Sequence, residues 1–290
     1  MVLEVLADAV QAGTVECGHT APYYYFGKDP TFAIDCAIPF GLNSRNMTAW
    51  MYDGNGLKLF REFFYNYNIV NFPCGNTGAQ MGGWYRKEIK SLEDVKGMKM
   101  RIGGFGGKIL EGIGGVPQNI PGGEIYQALE KGTIDAAEWV GPYDDEKLGF
   151  VKVAKYYYTP GWWEGNSSGH MIVNLKAWEA LPKEYQQIFA AACGESNAMA
   201  MAKYDHLNPG ALKRLIAGGA QLRSFPKGVM DASYQAAQEQ YAEWSAKVPE
   251  FNTMYQHYTK YLAEELAWFR VAEGSYDNYM VSTQNAKRKG

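Results

Sequence analysis

Two hydrophobic patterns alternate along the first 225 residues of the chain. Short apolar or β-branched runs predict strands, and between them apolar side chains recur every three or four residues, as they do in helices. The predicted strands are Val15–Thr20, Asn68–Pro73, Met98–Ile102, Val116–Ile120, Thr133–Val140, Lys155–Thr159, Gly169–Leu175 and Ala220–Phe225. Strands that alternate with helices predict an α/β fold with parallel sheets.

The helix boundaries are marked by glycine, proline and capping residues. One long helix is predicted over Ser44–Tyr67, with an interruption at Gly54–Gly56. Another covers Gly123–Lys131 and ends before a glycine, and a third opens on a proline and covers about Pro182–Tyr204. Ser91–Asp94 resembles a capping box that starts a short turn.

The pattern changes after residue 225, where helices follow one another without a further strand. Helices are predicted over Val229–Ala246 and from Pro249 to about Tyr279. The apolar positions of the second helix are Phe251, Met254, Tyr255, Tyr258, Leu262, Leu266 and Phe269. Such a stripe packs on its own domain or reaches a second subunit, and both readings stay open. The basic tail at residues 285–290 is expected to fray.

The chain begins within a helical pattern. Leu3, Leu6 and Val10 fall on one helix face, and Gly13 fits the position after the helix end. A domain seldom starts inside a helix, so we expect a segment upstream of the present first residue. The first residues carry acids where a signal peptide needs basic side chains, which alone indicates a cytoplasmic or an already processed protein.

Composition and charge narrow the function classes. The 290 residues include 28 basic and 31 acidic side chains, for a net charge of −3, and the length allows about two domains. The lack of a basic block argues against a nucleic-acid surface, and no apolar run approaches the ~18 residues of a membrane helix. Aromatic residues make up 14%, which suits both cores and small-molecule pockets.

The chain has four cysteines, Cys17, Cys36, Cys74 and Cys193. They form no CxxC pair and are expected to be small buried hydrophobic side chains.

Two motifs typical of enzymes occur in the chain, but neither has the spacing or the neighbouring strands and helices that the enzyme motif needs. Gly165–Gly169 matches GxSxG around Ser167, but a nucleophile elbow has a strand before the serine and a helix after it, whereas a strand-like run follows here. The glycine-rich Gly103–Lys108 fails the spacing of phosphate and dinucleotide loops, although its backbone N–H groups could face an anion. The four histidines are scattered without metal-ligand spacing. An enzyme is unsupported, although catalytic residues can converge from distant positions.

Two charged residues stand at predicted strand ends. Arg101 closes the strand Met98–Ile102, and Glu138 with Trp139 closes the strand Thr133–Val140. Ligands of open α/β sheets bind outside the carboxyl ends of the strands. Arg101 and Glu138 are therefore candidate ligand contacts, with a surface ion pair as the alternative.

Several segments together resemble one family. SLEDVKGMKMR followed by GGVPQNIPGGEIYQALEKGTIDAAEW resembles the solute-binding receptors of TRAP-type (tripartite ATP-independent periplasmic) transporters. VQAGTVECGHTAPYYYFGKDPTFAIDCAIPFGLN and NIVNFPCGNTGAQMGGWYRKEI resemble the subgroup that binds 2-oxoacids or lactate with a metal ion. The resemblance covers nearly the whole chain. It implies an α/β, two-lobed periplasmic binding protein fold with a cleft and a long C-terminal helix, in which hinge closure traps the ligand.

The resemblance also implies roles for individual residues. Arg101 matches the arginine that pairs with the substrate carboxylate, a role that suits the planar guanidinium group. The metal-side positions match Gln80 through its side-chain oxygen, Glu138 through its carboxylate, Trp139 through its backbone carbonyl, and Glu164. Gln80 and Trp139 also count among the substrate contacts. An all-oxygen shell suits Na⁺ or Ca²⁺.

Tyr24 and Tyr25 match the positions where the family places an aromatic hydroxyl over the substrate. The alternative for both is simple packing within the run of three tyrosines. Between the two, we favour Tyr25 as the substrate contact.

The resemblance implies interleaved lobes. Lobe I is expected from residues 1–100 with about 190–225, lobe II mainly from 101–189, and residues 226–290 are expected to form C-terminal helices with a possible dimer contact. The family carries a signal peptide, a first strand and a first helix before the matching region. Here the strand and most of the helix are missing, so either the chain is truncated or this lobe is incomplete.

The sequence therefore predicts a periplasmic receptor, not an enzyme. It is expected to bind a small 2-oxo or 2-hydroxy monocarboxylate, such as pyruvate or lactate, together with Na⁺ or Ca²⁺, and to deliver it to TRAP-type membrane subunits. A homodimer is expected, and nucleic acid is not a partner. The alternatives are a ligand-sensing domain with a signalling partner and a hydrolase that uses Ser167.

Overall fold

The structure is a computed structural model that describes residues 5–287 of the chain. Leu3 of the predicted N-terminal helix face and residues 288–290 of the predicted tail lie outside the described residues. The strands are β1 (Cys17–Thr20), β2 (Ile69–Asn76), β3 (Trp84–Tyr85), β4 (Lys99–Arg101), β5 (Val116–Gln118), β6 (Ala136–Ala137), β7 (Tyr156–Thr159), β8 (Ser168–Asn174) and β9 (Gln221–Ser224).

Helices surround these strands and dominate the last hundred residues. The α-helices are α1 (Leu6–Gln11), α2 (Ser44–Tyr52), α3 (Gly56–Tyr65), α4 (Gly104–Gly112), α5 (Ile125–Lys131), α6 (Pro142–Leu148), α7 (Leu175–Ala180), α8 (Lys183–Ala217), α9 (Lys227–Lys247), α10 (Pro249–Val271) and α11 (Glu273–Lys287). Short 3₁₀ turns cover Pro22–Tyr25, Pro30–Ala33, Leu92–Val95, Gly122–Glu124 and Phe150–Lys152. The α/β class is confirmed.

The first sheet has three strands in the order β1-β8-β2, and both pairings are antiparallel. The prediction of parallel sheets is wrong here. The chain leaves this sheet after β2, builds the second sheet, and returns with β8 from that side. Because β8 re-enters from the direction in which β2 left, the two strands run in opposite directions.

The second sheet has six strands in the order β5-β4-β6-β3-β7-β9 and is mixed. β4 runs parallel to β5 and β6, and β7 runs parallel to β9, whereas β3 is antiparallel to both of its neighbours. The sequence did not predict β3, because two residues carry no periodicity. Trp84 and Tyr85 are nevertheless fully buried, so this strand joins the two parallel halves of the sheet.

The chain passes between the two sheets after β2 and after β7, and α8 lies between β8 of the first sheet and β9 of the second. Residues 84–85, 99–101 and 221–224 are strands of the second sheet, and residues 168–174 form the central strand of the first. The division into lobe I from residues 1–100 with about 190–225 and lobe II mainly from 101–189 stays a prediction.

Most helix predictions hold, with two differences. The interruption between α2 and α3 and the capping box at Ser91 are both confirmed. α8 continues to Ala217 instead of ending near Tyr204, and it includes Pro209. Beyond the proline, Ala211 and Leu215 are buried, which favours continuing the helix despite the lost hydrogen bond.

The predicted C-terminal helix is divided. α10 ends at Val271, Ala272 leaves the helical conformation with ψ −103, and α11 follows. At Gly274 an added Cβ would lie 2.8 Å from the carbonyl oxygen of Phe269, so glycine permits this close turn. Within residues 5–287, no helix is both long enough and apolar enough to cross a membrane.

Candidate ligand-binding site

The pairing of β4 with β6 brings Arg101 and Glu138 together. Arg101 lies opposite Ala137 in the parallel register, so the next residue, Glu138, follows the strand end directly beside the guanidinium. Arg101 Nη1 donates to the carboxylate of Glu138 and also, at 3.2 Å, to its backbone carbonyl. Arg101 Nε donates to the carbonyl of Ile120 at 3.4 Å. The two side chains are 15% and 7% exposed, so they form a buried ion pair at the end of the sheet.

Trp139 lies on the same wall. The guanidinium carbon of Arg101 is 5.3 Å from the centre of the Trp139 ring, a distance typical of a cation–π contact. The ring passes close to the chain at Gly122, where an added Cβ would lie 2.5 Å from it. Glycine at this position therefore allows the indole to lie against the neighbouring turn.

Two of the segments that connect the two sheets form a second wall. Gln80 follows β2, and Glu164 lies between β7 and β8. The backbone N–H of Gln80 donates to the carbonyl of Glu164 at 3.0 Å, and that of Gly161 donates to the carbonyl of Gln80 at 3.0 Å. An added Cβ at Gly161 would lie 2.7 Å from two backbone oxygens, so glycine lets the crossing segments meet. Their side chains are thereby fixed relative to each other.

This wall holds polar atoms that have no partner. In the described part of the chain, Gln80 Oε1 and Glu164 Oε2 are buried without a hydrogen-bond partner. The Gln80 amide nitrogen donates at 3.3 Å to Thr77 Oγ1, which leaves its oxygen free. Buried polar atoms normally find partners, so unpaired oxygens here indicate a position for a group that binds oxygen.

The electrostatics of the two walls are linked. Burial raises the pKa of Glu138, and the positive charge and hydrogen bond of Arg101 oppose that rise. Burial raises the pKa of Glu164 further, and the negative charge of Glu138 adds to the rise. One guanidinium therefore serves two buried carboxylates, and this site favours an additional positive charge.

Two cavities of about 340 and 280 Å³ meet at these walls. Tyr23, Tyr24 and Arg101 line both. Glu138 and Glu164 line the larger cavity, and the smaller cavity is also lined by His19, Thr20, Ala21, Thr77, Gln80, Trp139, Val140, Ser167 and Gly169. Every predicted site residue except Tyr25 therefore lines one of the two cavities.

Tyr25 lies in the core instead. Its hydroxyl donates to Thr20 Oγ1 at 2.8 Å, its ring packs edge-on against Phe32, and it is 1% exposed. The 3₁₀ turn at Pro22–Tyr25 has about three residues per turn, so successive side chains point about 120° apart. Tyr23 and Tyr24 consequently face the cavities and Tyr25 does not, so the preference for Tyr25 over Tyr24 disagrees with the structure.

Some lining residues were not predicted from the sequence. Tyr23 and Thr77 are examples, and only proximity to Tyr24 and Gln80 in the chain pointed to them. The glycine-rich run does reach the site, because Gly103 and Gly104 line the larger cavity at the start of α4. Gly104 has φ +55, which explains the glycine there.

Ser167 does not have the surroundings of a nucleophile. It immediately precedes β8, so a strand follows it, as the sequence indicated. Its Oγ lies 3.6 Å from the Cys36 sulfur. The strand–turn–helix context of a nucleophile elbow is therefore missing around Ser167.

The donors suit a cation held by both carboxylate and neutral oxygens. Among residues 5–287, no three His, Cys, Asp or Glu side chains lie close enough to hold a metal ion. Two carboxylates with amide and carbonyl oxygens are still a suitable set for Na⁺ or Ca²⁺, which take oxygen ligands of several kinds. The unpartnered oxygens of Gln80 and Glu164 fit such an ion.

The comparisons with known proteins agree on one family. The profile described as "Bacterial extracellular solute-binding protein, family 7" matches residues 4–247. A monocarboxylate 2-oxoacid-binding periplasmic protein of Nostoc sp. is 51% identical over 282 residues, which cover 97% of this chain and 77% of the relative.

Two solved structures are similar over nearly the whole chain. A TRAP transporter solute-binding protein from Bordetella bronchiseptica, a mixed-occupancy dimer with copurified calcium and picolinate in one site and an apo second site, is 55% identical. It has a TM-score of 0.95 over 98% of this chain and 84% of its own. A TRAP periplasmic solute-binding protein from Pseudoalteromonas atlantica with bound sodium and pyruvate is 40% identical, with a TM-score of 0.91 over 95% and 84%.

Proposed function

The chain belongs to family 7 of the bacterial extracellular solute-binding proteins, and we propose that it binds a small 2-oxo or 2-hydroxy monocarboxylate together with a cation for delivery to a TRAP-type membrane transporter. Its relatives are solute-binding proteins and not enzymes. The relatives described above bind 2-oxoacids, pyruvate or picolinate, with sodium or calcium in the two structures. Picolinate and pyruvate share a planar carboxylate with an electron-pair donor on the adjacent carbon, so this chelating group defines the proposed ligand class.

The observation that carries the proposal is the arrangement of charge around the two cavities. Arg101 offers a buried guanidinium at the point where the cavities meet. Its planar fork matches a carboxylate, and the low exposure strengthens the attraction. We assign Arg101 to the ligand carboxylate, and Tyr24 with Tyr23 to the aromatic contacts next to it.

The cation is assigned to the other wall. Gln80 Oε1 and Glu164 Oε2 would hold it, with the Glu138 carboxylate and the backbone carbonyl of Trp139 completing the shell. A bound cation supplies positive charge for the carboxylate and the 2-oxo oxygen of the ligand. It also offsets the mutual repulsion of Glu138 and Glu164 that raises the pKa of Glu164.

A thermal-shift panel tests the proposal. Pyruvate, longer 2-oxoacids, lactate and picolinate are each added to metal-depleted protein, with and without Ca²⁺ or Na⁺. A ligand that binds only the folded state raises Tm by mass action, and we expect the rise to require cation for at least one of these acids. No shift with any acid in the presence of both cations would contradict the proposal. Acetate is the matched control, because it has the carboxylate without the second chelating oxygen.

We further propose a periplasmic homodimer that uses the C-terminal helices. The apolar side chains that α10 and α11 expose include Leu266, Trp268, Val271, Tyr276, Tyr279 and Val281. Large apolar side chains exposed on neighbouring helices indicate an interaction face, and the Bordetella relative is a dimer. Sedimentation or light scattering should give twice the mass of one chain, and Val271→Glu should yield the monomer. A wild-type monomer at micromolar concentrations would contradict this part of the proposal.

A further inference from the structure

Two of the four cysteines meet on one face of the first sheet. Val70, Phe72 and Cys74 alternate along β2, and Cys193 of α8 belongs to the same apolar cluster. Ser196, one helical turn after Cys193, donates from its Oγ to the backbone carbonyl of Cys74 at 3.0 Å. Positions three apart share a helix face, so Cys193 faces the strand where Cys74 lies.

The backbone around Cys74 departs from the regular ladder. The register passes from Pro73 opposite His170 to Gly75 opposite Gly169, so Cys74 is the extra residue of a bulge. A bulge redirects the side chain that it carries. Cys74 is partly exposed, whereas Cys193 is 4% exposed. An oxidant in solution therefore reaches Cys74 first.

We propose that Cys74 and Cys193 form a disulfide that ties helix α8 to strand β2 in the extracytoplasmic compartment. The sequence alone predicted four small buried hydrophobic side chains, but Cys17 is exposed and Cys74 is partly exposed. Proteins outside the cytoplasm meet oxidising conditions that favour such bonds. The bond would fix the first half of α8 on the first lobe. The second half contacts the other lobe, where Tyr204 donates to Asp144 at 2.7 Å.

The pairing of Cys17 with Cys74 and the pairings of Cys36 are less favourable. Cys17 lies on β1 and Cys74 on β2, with β8 between them. Two strand spacings amount to about 9.5 Å, beyond the ~7 Å between Cα atoms that a disulfide can span. Cys36 contacts the Ser167 hydroxyl instead.

The chemistry requires a disulfide oxidant, such as a thiol–disulfide oxidoreductase or oxidised glutathione. The Cys74 thiolate attacks one sulfur of the oxidant, breaks its S–S bond and releases one thiol. The Cys193 thiolate then attacks the Cys74 sulfur, forms the protein disulfide and releases the second thiol. The two cysteines lose two electrons and two protons, and both go to the oxidant. In the reduced protein, burial and the hydrogen bond with Cys74 raise the pKa of Cys193 to about 12, so the partly exposed Cys74 is the thiol that attacks the oxidant.

Thiol counting and peptide mapping test the proposal. Reduced full-length protein is incubated with oxidised glutathione and then denatured in the presence of a thiol reagent. We expect the free thiols to fall from four to two, a peptide that links Cys74 to Cys193, and a rise in Tm of about 5 °C over the reduced protein. Cys17→Ser is the matched control and should behave like the wild type, whereas Cys74→Ser should form no internal disulfide.

Three outcomes would overturn the proposal. They are four remaining thiols, a stable glutathione adduct on Cys74, and a linked peptide that contains Cys17. The mapping of the wild-type protein decides the matter even if a variant fails to fold. Ligand binding is measured separately, so a failure of the disulfide leaves the proposed receptor function untouched.

Discussion

The two walls of the cavity region differ in how their buried charges are satisfied. On one wall, Arg101 donates to both the carboxylate and the backbone carbonyl of Glu138. On the other wall, Gln80 Oε1 and Glu164 Oε2 have no partner among the described residues. The Arg101–Glu138 pair is hydrogen-bonded without a ligand, whereas Gln80 and Glu164 each keep a buried oxygen that lacks a partner.

This difference indicates what each wall contributes. Breaking a buried ion pair leaves an uncompensated charge, so the Arg101–Glu138 pair holds the strand ends in place before any ligand arrives. A buried carboxyl group with an unpartnered oxygen, such as that of Glu164, lowers the stability of the ligand-free protein until a bound group satisfies that oxygen. Replacing glutamate by glutamine should therefore change the stability of the ligand-free protein in opposite directions at Glu138 and at Glu164.

The largest expected effect is on ligand affinity when Arg101 is changed. Arg101→Ala should weaken binding of the best 2-oxoacid about 1,000-fold, which corresponds to about 4 kcal/mol, because the ligand carboxylate loses its buried partner. Calorimetry with saturating cation measures this. Arg101→Lys is the matched control for charge, and it should recover only part of the affinity, since an ammonium group lacks the planar fork. Unchanged affinity in Arg101→Ala would remove Arg101 from the site.

The next largest effect is expected on the stability of the protein when the Arg101–Glu138 pair is broken. Glu138→Gln should lower the free energy of unfolding of the ligand-free protein by about 3 kcal/mol, because the buried guanidinium of Arg101 loses the carboxylate to which it donates a hydrogen bond. Denaturant unfolding of metal-depleted protein measures the change. Lys227 and Asp231 form an exposed pair on α9, and Asp231→Asn provides a control that should change stability by less than about 1 kcal/mol. A loss at Glu138 no larger than at Asp231 would contradict the distinction between the walls.

A third buried carboxyl group, that of Asp145, predicts how the stability of the protein depends on pH. It accepts hydrogen bonds from Tyr157 at 2.7 Å and from Trp84 Nε1 at 2.9 Å, yet burial raises its pKa to about 7. A carboxyl whose pKa is higher in the folded state binds more protons when folded, so its contribution to stability is present at low pH and is lost as pH rises towards 7. Unfolding measured from pH 5 to 7 should show a decline of about 1 kcal/mol per pH unit. Asp145→Asn should make this decline shallower by about 1 kcal/mol per pH unit, while Glu138 and Glu164, whose pKa values burial also raises, retain their own contribution. An unchanged slope in that variant would contradict the assignment to Asp145.

The two walls also differ in how far the sequence could predict them. Arg101 and Glu138 stand at the ends of two strands with clear hydrophobic patterns, so their positions predicted a shared edge of one sheet, and the structure confirms it. Gln80 and Glu164 lie in irregular crossing segments that have no periodicity, and only resemblance to a family pointed to them. The preference for Tyr25, whose ring lies in the core, has a similar cause, because the sequence of a 3₁₀ turn with three tyrosines does not indicate which ring faces the cavity. Strand direction was also hidden, since it depends on the order in which the chain builds two sheets.

The smallest effect, and the one that separates the walls most directly, is expected from Glu164→Gln. Glutamine replaces a carboxyl group whose ionised form is disfavoured by burial and by the charge of Glu138. The stability of the ligand-free protein should therefore rise by about 1 kcal/mol, the opposite direction to Glu138→Gln. The same variant should lose the extra stabilisation that Ca²⁺ gives in the presence of a 2-oxoacid, because the cation loses a charged oxygen ligand. Parallel thermal unfolding of both variants, with and without cation and acid, measures both effects. If Glu164→Gln destabilised the ligand-free protein as much as Glu138→Gln does, the carboxyl group of Glu164 would already have hydrogen-bond partners without a ligand. The wall formed by Gln80 and Glu164 could then not be the position of the cation.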